Sequence, residues 1–385
     1  MKSSAEFDVI VYGATGYTGR LVAEHFSRTY GSSSEVKWAM AGRDGKKLAA
    51  VRDEIGAASS TPLIVADSDD AAALRAMCER ARCIVTTVGP YQLYGSKLVA
   101  ACAATGTDYL NLSGESNWMR AMIDYHEAEA KRTGARILFS CGFDSIPFEL
   151  GVMFVQDIAK RRLGHVVPRV KGRVRGLGGS LSGGTVASGE ATRAAAARDP
   201  SVIRLLVDPF ALTPGFRGAD QPRGDKVEDD PDTGTKVGPW MMMPINSKNI
   251  HRSNVLMGNP YGSDFVYDEM VMVRDGEKPL EFTYADGKVP KPGEGPSKEE
   301  RENGFYDLVF IGIDRDGQKV QASVYGKKDP GYGSTAMILA ETALCLLRDG
   351  GDVAGGILVP GAALGQKLIE RLQARAQLSF KDETR

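Results

Sequence analysis

The chain has 385 residues, room for two or three domains around a core that needs no disulfide or metal staple. Lysine plus arginine number 48 against 49 aspartate plus glutamate, which excludes the basic footprint of a nucleic-acid or anionic-membrane binder. The 5 cysteines form no C-x-x-C pair and the 4 histidines are scattered, so free thiols in a reducing cytoplasm and no metal site are expected.

The first half alternates two signals. FDVIVYG (7–13) reads as a buried strand, and GRLVAEHFSRTYG (19–31) has apolar residues at helical spacing. The alternation continues with strand VKWAMAG, helix DGKKLAAVRDEIG, strand TPLIVAD, helix DAAALRAMCERA and strand CIVTTVG. It runs on through helix GSKLVAACAATG, strand TDYLNL, helix SNWMRAMIDYHEAEAKRTG and strand ARILFSCG. This spacing predicts parallel strands with helices on both faces, a doubly wound α/β sheet of the Rossmann kind.

After residue 148 the pattern changes. ELGVMFVQDIAKRR is helical, RVKGRVRGLG alternates like a strand, and GGTVASGEATRAAAARD is a glycine-led helix. Residues 213–238 read as loop by composition, as does GKVPKPGEGPSKEERENG (287–304). DFVYDEMVMVRDG is a strand, while FYDLVFIGIDRDG and KVQASVYG form a hairpin at a DG turn. Helices close the chain at 334–348 and 361–376. The organisation expected is a dinucleotide-binding domain at 1–148, an α+β substrate or closing domain at 149–333, and C-terminal helices at 334–385. The apolar run TAMILAETALCLL is too short to span a bilayer and carries Glu341. MKSSAEFDVIVYG runs straight into the first strand, leaving no room for a signal peptide, and a cytoplasmic protein is expected.

Gly13, Gly16 and Gly19 stand between a strand and a helix. One glycine permits the tight turn, one lets a pyrophosphate approach the backbone, and one packs helix on strand. The helix N-terminus then offers free N–H groups to the anion. The loop Gly13, Ala14, Thr15, Gly16, Tyr17, Thr18 and Gly19 is therefore the expected phosphate cradle. The second strand ends in no acid that would grip a ribose 2′-hydroxyl. Arg43 follows it, with Lys46 and Lys47 one turn on, so NADP is the expected cofactor. Asp44 reads as a helix N-cap. Asp67 is either a neighbour of the adenine or the cap of the next helix. Val88, Gly89 and Pro90 follow the fourth strand, where the loop runs along the cofactor towards the nicotinamide.

Tyr91 and Tyr94 come next and are candidate proton donors, with packing as the plain alternative. In SCGFDSIPFEL, Asp144 and Ser145 stand at another strand's carboxyl end, to orient substrate or cap the following helix. Cys141 reads as a nucleophile or, more commonly, a buried thiol. Ser182, Gly183, Gly184 and Thr185 open a helix able to meet an anionic or carbonyl group, or simply capped. A Tyr-x-x-x-Lys match (Tyr284, Lys288) lies in a Gly/Pro loop, and neither a G-x-S-x-G elbow nor a phosphate P-loop occurs.

Taken with YGATGYTGRLVAEHF, AGRDGKKL, TTVGPYQLYG, GTDYLNLSGE, CGFDSIPFEL and KPGEGPSKEERENG, the chain resembles the saccharopine dehydrogenase-like oxidoreductases over nearly its whole length. Within them it is most similar to the trans-acting enoyl reductase branch. The resemblance implies a Rossmann domain, a second domain closing over the nicotinamide, and reduction of double bonds in lipid or polyketide intermediates. Saccharopine reductases carry Gly-Leu-Asp-Pro-Gly where this chain has Gly142-Phe143-Asp144-Ser145-Ile146; Asp144 matches and the residues after it depart. Many relatives carry a long apolar segment where this chain has the short, charged MVRDGEKPLEFTYADGKV, which weakens the membrane association that the resemblance implies.

The activity expected is an NADPH-dependent reductase acting on an activated C=C bond. Its candidate proton donors are Tyr91 and Tyr94, with Asp144 and Ser145 orienting the substrate, and its pocket is apolar, lined by Tyr91, Tyr94, Phe143, Ile146 and Phe148. The alternatives are a saccharopine-type C=N reductase and a non-catalytic NADP-binding protein. The partner expected is a small, lipid-like substrate, with a homodimer open and no nucleic acid.

Overall fold

A computed structural model describes residues 5–31, 35–273, 283–284, 289–291 and 293–385. Six strands alternate with helices up to residue 138: β1 (Phe7–Tyr12), β2 (Trp38–Gly42), β3 (Leu63–Val65), β4 (Ala81–Thr86), β5 (Asp108–Leu110) and β6 (Arg136–Leu138). The second half supplies β7 (Arg169–Gly178), β8 (Ser180–Leu181), β9 (Glu228–Asp230), β10 (Thr235–Pro239), β11 (Val266–Val273) and β12 (Thr283–Tyr284). It ends with β13 (Phe305–Ile313), β14 (Lys319–Gly326), β15 (Gly356–Leu358) and β16 (Leu378–Asp382).

The first sheet is fully parallel in the order β15-β6-β5-β4-β1-β2-β3. Both faces of β1 are buried. Val9 and Val11 pack into one core with the helices Tyr17–Tyr30 and Thr335–Arg348, whereas Ile10 and Tyr12 pack into the other with Ala71–Glu79, Ser96–Thr105 and Ser116–Thr133. A parallel strand buried on both sides has to read as a nearly continuous apolar run, as β1 and β4 do. The expected α/β class is the class observed. Asp44 caps Gly45–Glu54 by accepting from the Lys46 and Lys47 N–H groups at 3.0 Å.

The second sheet is mixed, in the order β16-β14-β13-β7-β11-β10-β9. The expected hairpin β13–β14 pairs antiparallel from Tyr306–Gly326 to Ile313–Lys319, while β7 and β11 pair parallel. Helix Ile146–Leu163 crosses from the first sheet and lies on β13 and β14, beside Met243–Leu256 and Pro360–Arg375. One hydrophobic core runs from Val9 and Val85 through Phe143 and Phe148 to Phe310 and Val324, joining both sheets.

Two expected loops contain structure. Within 213–238, β9 and β10 form an edge hairpin whose outer strand is Glu228-Asp229-Asp230; a charged edge strand carries no apolar alternation to read. Within 287–304, Lys298–Asn303 is a helix with none of its residues buried, started by a Ser297–Glu300 capping box. Besides its two closing helices, the C-terminal stretch adds β15 to the first sheet and β16 to the second. Lys288 and residues 274–276 of the expected third-quarter strand lie outside the described residues.

The inner edge of the first sheet is pinned by a buried ion pair. Arg136 Nε donates to Asp108 Oδ1 at 3.0 Å, its Nη2 reaches the other carboxylate oxygen, and Nη1 donates to the Gly350 carbonyl at 2.6 Å. Asp108→Ala would leave a buried guanidinium without its counter-charge, so a loss of about 3–5 kcal/mol is expected in urea unfolding. A loss below ~1 kcal/mol, the scale of an exposed pair, would contradict this role.

Candidate active site

The glycine loop has three different steric duties. Gly13 sits at φ +91°, where a side chain is strained, and a Cβ there would meet Val88 Cγ2 at 2.7 Å. A Cβ on Gly19 would collide with the Gly13 carbonyl oxygen, so only glycine lets the helix lie this close to β1. Gly16 is the opposite case. Its Cβ would meet only the Gly13 oxygen at 3.3 Å, within an extended backbone (φ −80°, ψ 166°) that any residue adopts. That contact is tight but single, unlike the crowding at Gly13 and Gly19.

No side chain caps the first turn of Tyr17–Tyr30, and Gly16 is its N-cap, so backbone donors remain for an anion. These residues fit a dinucleotide pyrophosphate. Ala14 is buried beneath the loop, and Thr18 opens onto the cavity described below. Thr15 Oγ1 would lie 3.8 Å from a Cβ on Gly42. Tyr17 turns away from the cradle, donating to the Pro296 carbonyl and accepting from Arg301 Nη1 at 2.9 Å.

Arg43 leaves β2 exposed and makes no hydrogen bond or ion pair among the described residues. Burial and the Asp67 charge push the nearby Tyr12 phenol up to about 12, and Arg43 opposes that shift, which places both charges at this end of the sheet. Lys46 is exposed one turn on. Asp67 accepts from the Asp69 N–H at 2.9 Å, whereas Asp70 caps the following helix. Val88 donates its N–H to Thr86 Oγ1 at 3.2 Å, and the Gly89–Pro90 bond is cis.

Beyond the cradle, a cavity of about 380 Å³ opens at the carboxyl ends of β4, β5 and β6. The first sheet contributes Thr87, Gly89, Tyr91, Ser113, Glu115, Ser140, Asp144 and Ser145. The second half contributes Ser182, Thr185, Ser188, Thr192, Tyr332 and Thr335, with Met241 and Met242 as apolar members beside Leu112 of the first half. Hydroxyls dominate. No lysine, arginine or histidine lines it among the described residues.

The apolar lining expected from the sequence is therefore corrected. Phe143, Ile146 and Phe148 are fully buried in the core between the sheets, because the first turns of helix Ile146–Leu163 are wholly buried. Tyr94 is exposed and outside the cavity. Tyr91 lines it, but its ring stacks on Trp118 at 5.5 Å. Its hydroxyl donates to the Thr86 carbonyl at 3.4 Å and accepts from the Leu112 N–H at 3.1 Å.

Asp144 faces the cavity and accepts no hydrogen bond among the described residues; burial pushes its carboxyl up to about 6. Ser145 donates to Asn246 Oδ1 at 2.9 Å and accepts from Asn249 Nδ2 at 3.1 Å, fixing the turn that carries Asp144. Cys141 is buried, its thiol pushed well up by desolvation.

Glu115 and Tyr332 are among the lining residues that escaped the sequence reading. Glu115 accepts from the Tyr91 and Gln92 N–H groups, both at 2.8 Å, and from Ser188 Oγ at 3.0 Å. Its place just past a strand's carboxyl end was the available signal. Tyr332 accepts from the Ser182 N–H, pairs with Thr185 Oγ1 at 3.0 Å and meets the Tyr17 ring edge-on. It stands on a short π-helical segment in a Gly/Pro-rich stretch that carries no periodic signal.

Residues 9–138 match the family model described as saccharopine dehydrogenase NADP binding domain. The chain is 35% identical to trans-acting enoyl reductases of Mycobacterium ulcerans and Mycobacterium tuberculosis, over 95% of its length and 96% of theirs. Among solved structures it is similar to apo saccharopine dehydrogenase (L-Glu forming) from Saccharomyces cerevisiae, with TM-score 0.53 and 13% identity over 98% of this chain and 99% of that one. It is also similar to a homospermidine synthase from Legionella pneumophila, with TM-score 0.54 and 10% identity over 98% and 91%. At these identities the structures speak for the fold alone.

Gly16→Val tests the cradle. The variant is expected to fold as the parent does, yet to bind NADPH about 100-fold more weakly or worse, a loss of ~3 kcal/mol. Circular dichroism and fluorescence titration read the two properties. Parental affinity in the folded variant would place the phosphates elsewhere.

Proposed function

Starting from a chain that belongs to the trans-acting enoyl reductases of the saccharopine dehydrogenase-like family, we propose that it uses NADPH to reduce the activated C=C bond of a lipid- or polyketide-like enoyl substrate. The observation that carries this reading is the cavity lining. It adjoins the glycine cradle, holds a carboxylic acid, and lacks a cation among the described residues. An amino-acid imine with several carboxylates would find no counter-charge there, whereas a neutral enoyl group meets hydroxyls and the apolar Met241–Met242 edge.

The reduced nicotinamide, when bound, supplies the hydride. The chain's own residues position the acceptor and supply the proton. Asp144 is the proton donor in this proposal. It is the cavity's unengaged acid, and its raised pKa keeps part of it protonated near neutrality. Ser145 holds the Asp144 turn, Tyr91 shapes the floor through its two backbone bonds, and Tyr94 has no part in the chemistry. Arg43 selects the phosphorylated dinucleotide by its unengaged guanidinium beside the adenine end. The buried free thiols Cys78, Cys83, Cys102, Cys141 and Cys345 suit a reducing cytoplasm.

Three outcomes are expected. Arg43→Ala weakens NADPH binding by ~1.5–3 kcal/mol and leaves NADH nearly unchanged; equal losses for both would remove Arg43 from the 2′-phosphate. With enoyl thioesters, Asp144→Asn still binds NADPH but turns over about 10²–10⁴-fold more slowly. Because the protonated form acts, wild-type kcat falls as pH rises through about 6. Turnover only with a lysine, glutamate or aminoadipate semialdehyde mixture would overturn the enoyl reading.

A further inference from the structure

Helix Gly183–Arg198 is long for its sparse burial. Of its 16 residues only Gly183 is buried, and none belongs to either core. Its sequence, GGTVASGEATRAAAAR, is nearly all small residues and includes three glycines, each unfavourable in a helix by about 1 kcal/mol. A helix of this length without a packed apolar face is marginal in water. Its main neighbour is the helix that follows it, Pro200–Val207.

Yet one face of this helix forms a wall of the cavity: Thr185, Ser188, Gly189 and Thr192, at helical spacing. Hydrogen bonds fasten that face. Thr185 Oγ1 meets Tyr332 Oη, Ser188 Oγ donates to Glu115 Oε1, and Gln92 Nε2 donates to Thr192 Oγ1 at 3.2 Å. The Glu115 bond stands apart. It is charge-assisted, and the same buried carboxylate holds the first turn of helix Tyr91–Tyr94 through two backbone N–H groups. That turn follows Gly89 and Pro90, on the side of the cavity where the nicotinamide belongs. A Cβ on Gly89 would lie 3.7 Å from Ser188 Oγ, so roof and loop meet there.

We propose that helix 183–198 is a roof over the cavity that opens for ligand passage, and that Glu115 is the positioning residue that latches it. By taking Ser188 together with Tyr91 and Gln92, Glu115 sets the roof and the nicotinamide-side loop in one closed arrangement. The inference rests on the dinucleotide reading of the cavity and not on the identity of the second substrate. A roof held by polar bonds opens at far lower cost than one held by buried apolar area, and that is the property a substrate gate needs.

The test uses the full chain, with hydrogen–deuterium exchange over 183–198 and the NADPH release rate as readouts. Ser188→Ala removes the latch bond while leaving both N–H bonds to Glu115. Alanine is also the better helix former, so intrinsic propensity works against the expected effect. Exchange in 183–198 is expected to quicken about fivefold or more, with β1 and β4 unchanged, and NADPH release to quicken with it. Ser188→Thr, which keeps the hydroxyl, is expected to restore both. Unchanged exchange in Ser188→Ala would overturn the latch, and faster exchange with unaltered NADPH release would overturn the positioning role. Absence of enoyl turnover beside these two effects would count against the enoyl reading alone.

Discussion

The contact between Gly13 and Gly19 is the constraint on which the site depends. With no Cβ at position 19, helix Tyr17–Tyr30 comes down onto the carbonyl of Gly13, and its uncapped first turn sits at the carboxyl edge of the first sheet. That placement sets everything downstream. The same edge ends β4, β5 and β6, whose following loops deliver Gly89, Glu115 and Asp144 to one cavity. Around a Cβ on Gly16 only the Gly13 oxygen comes close apart from its chain neighbours, which suits the proposed approach of an anion to the backbone.

The second half completes the cavity and holds it in register. A continuous apolar core joins the two sheets through Phe143, Phe148 and Phe310, so the Asp144 turn rides on rigid packing. Around that core the joints are polar and buried. Glu341 receives Tyr30 and His25 at 2.8 Å and Arg371 at 2.9 Å, tying helix 17–30 to two C-terminal helices. Its carboxyl is held below the usual range because those partners outweigh desolvation. Helix Met243–Leu256 does the same work beside the active site. Asn246 links Ser145 to Glu269, and Arg252 Nη1 donates to the Leu212 carbonyl at 2.6 Å.

The first sheet was legible because burial on both faces writes continuous apolar runs, and because its helices carry ordinary caps such as Asp44. The glycine loop after β1 stood out because glycine at three fixed offsets has few other uses. The rest was hidden for identifiable reasons. Helix 243–256 is buried yet built largely from Asn, Ser, Lys, His and Arg, with Asn246, Lys248, Arg252 and Asn254 hydrogen-bonded to tertiary partners, so hydrophobic periodicity has nothing to find. Helix 183–198 was readable as a helix, but its role over the cavity depends on Glu115 and Gln92, far away in sequence. Phe143, Ile146 and Phe148 were misplaced because nearness in sequence to Asp144 does not show which way a side chain turns. The enoyl proposal rests instead on a different feature, a lining without cations among the described residues.

The most direct measurement is the fate of deuterium carried at C4 of reduced NADPH, read by mass spectrometry of the product from an enoyl thioester. Direct hydride delivery in this cavity puts one deuterium on the β-carbon, while the hydrogen gained at the α-carbon comes from solvent. Label confined to the dinucleotide, or recovered only in an amine formed from the amino-acid mixture, would contradict an enoyl reductase site.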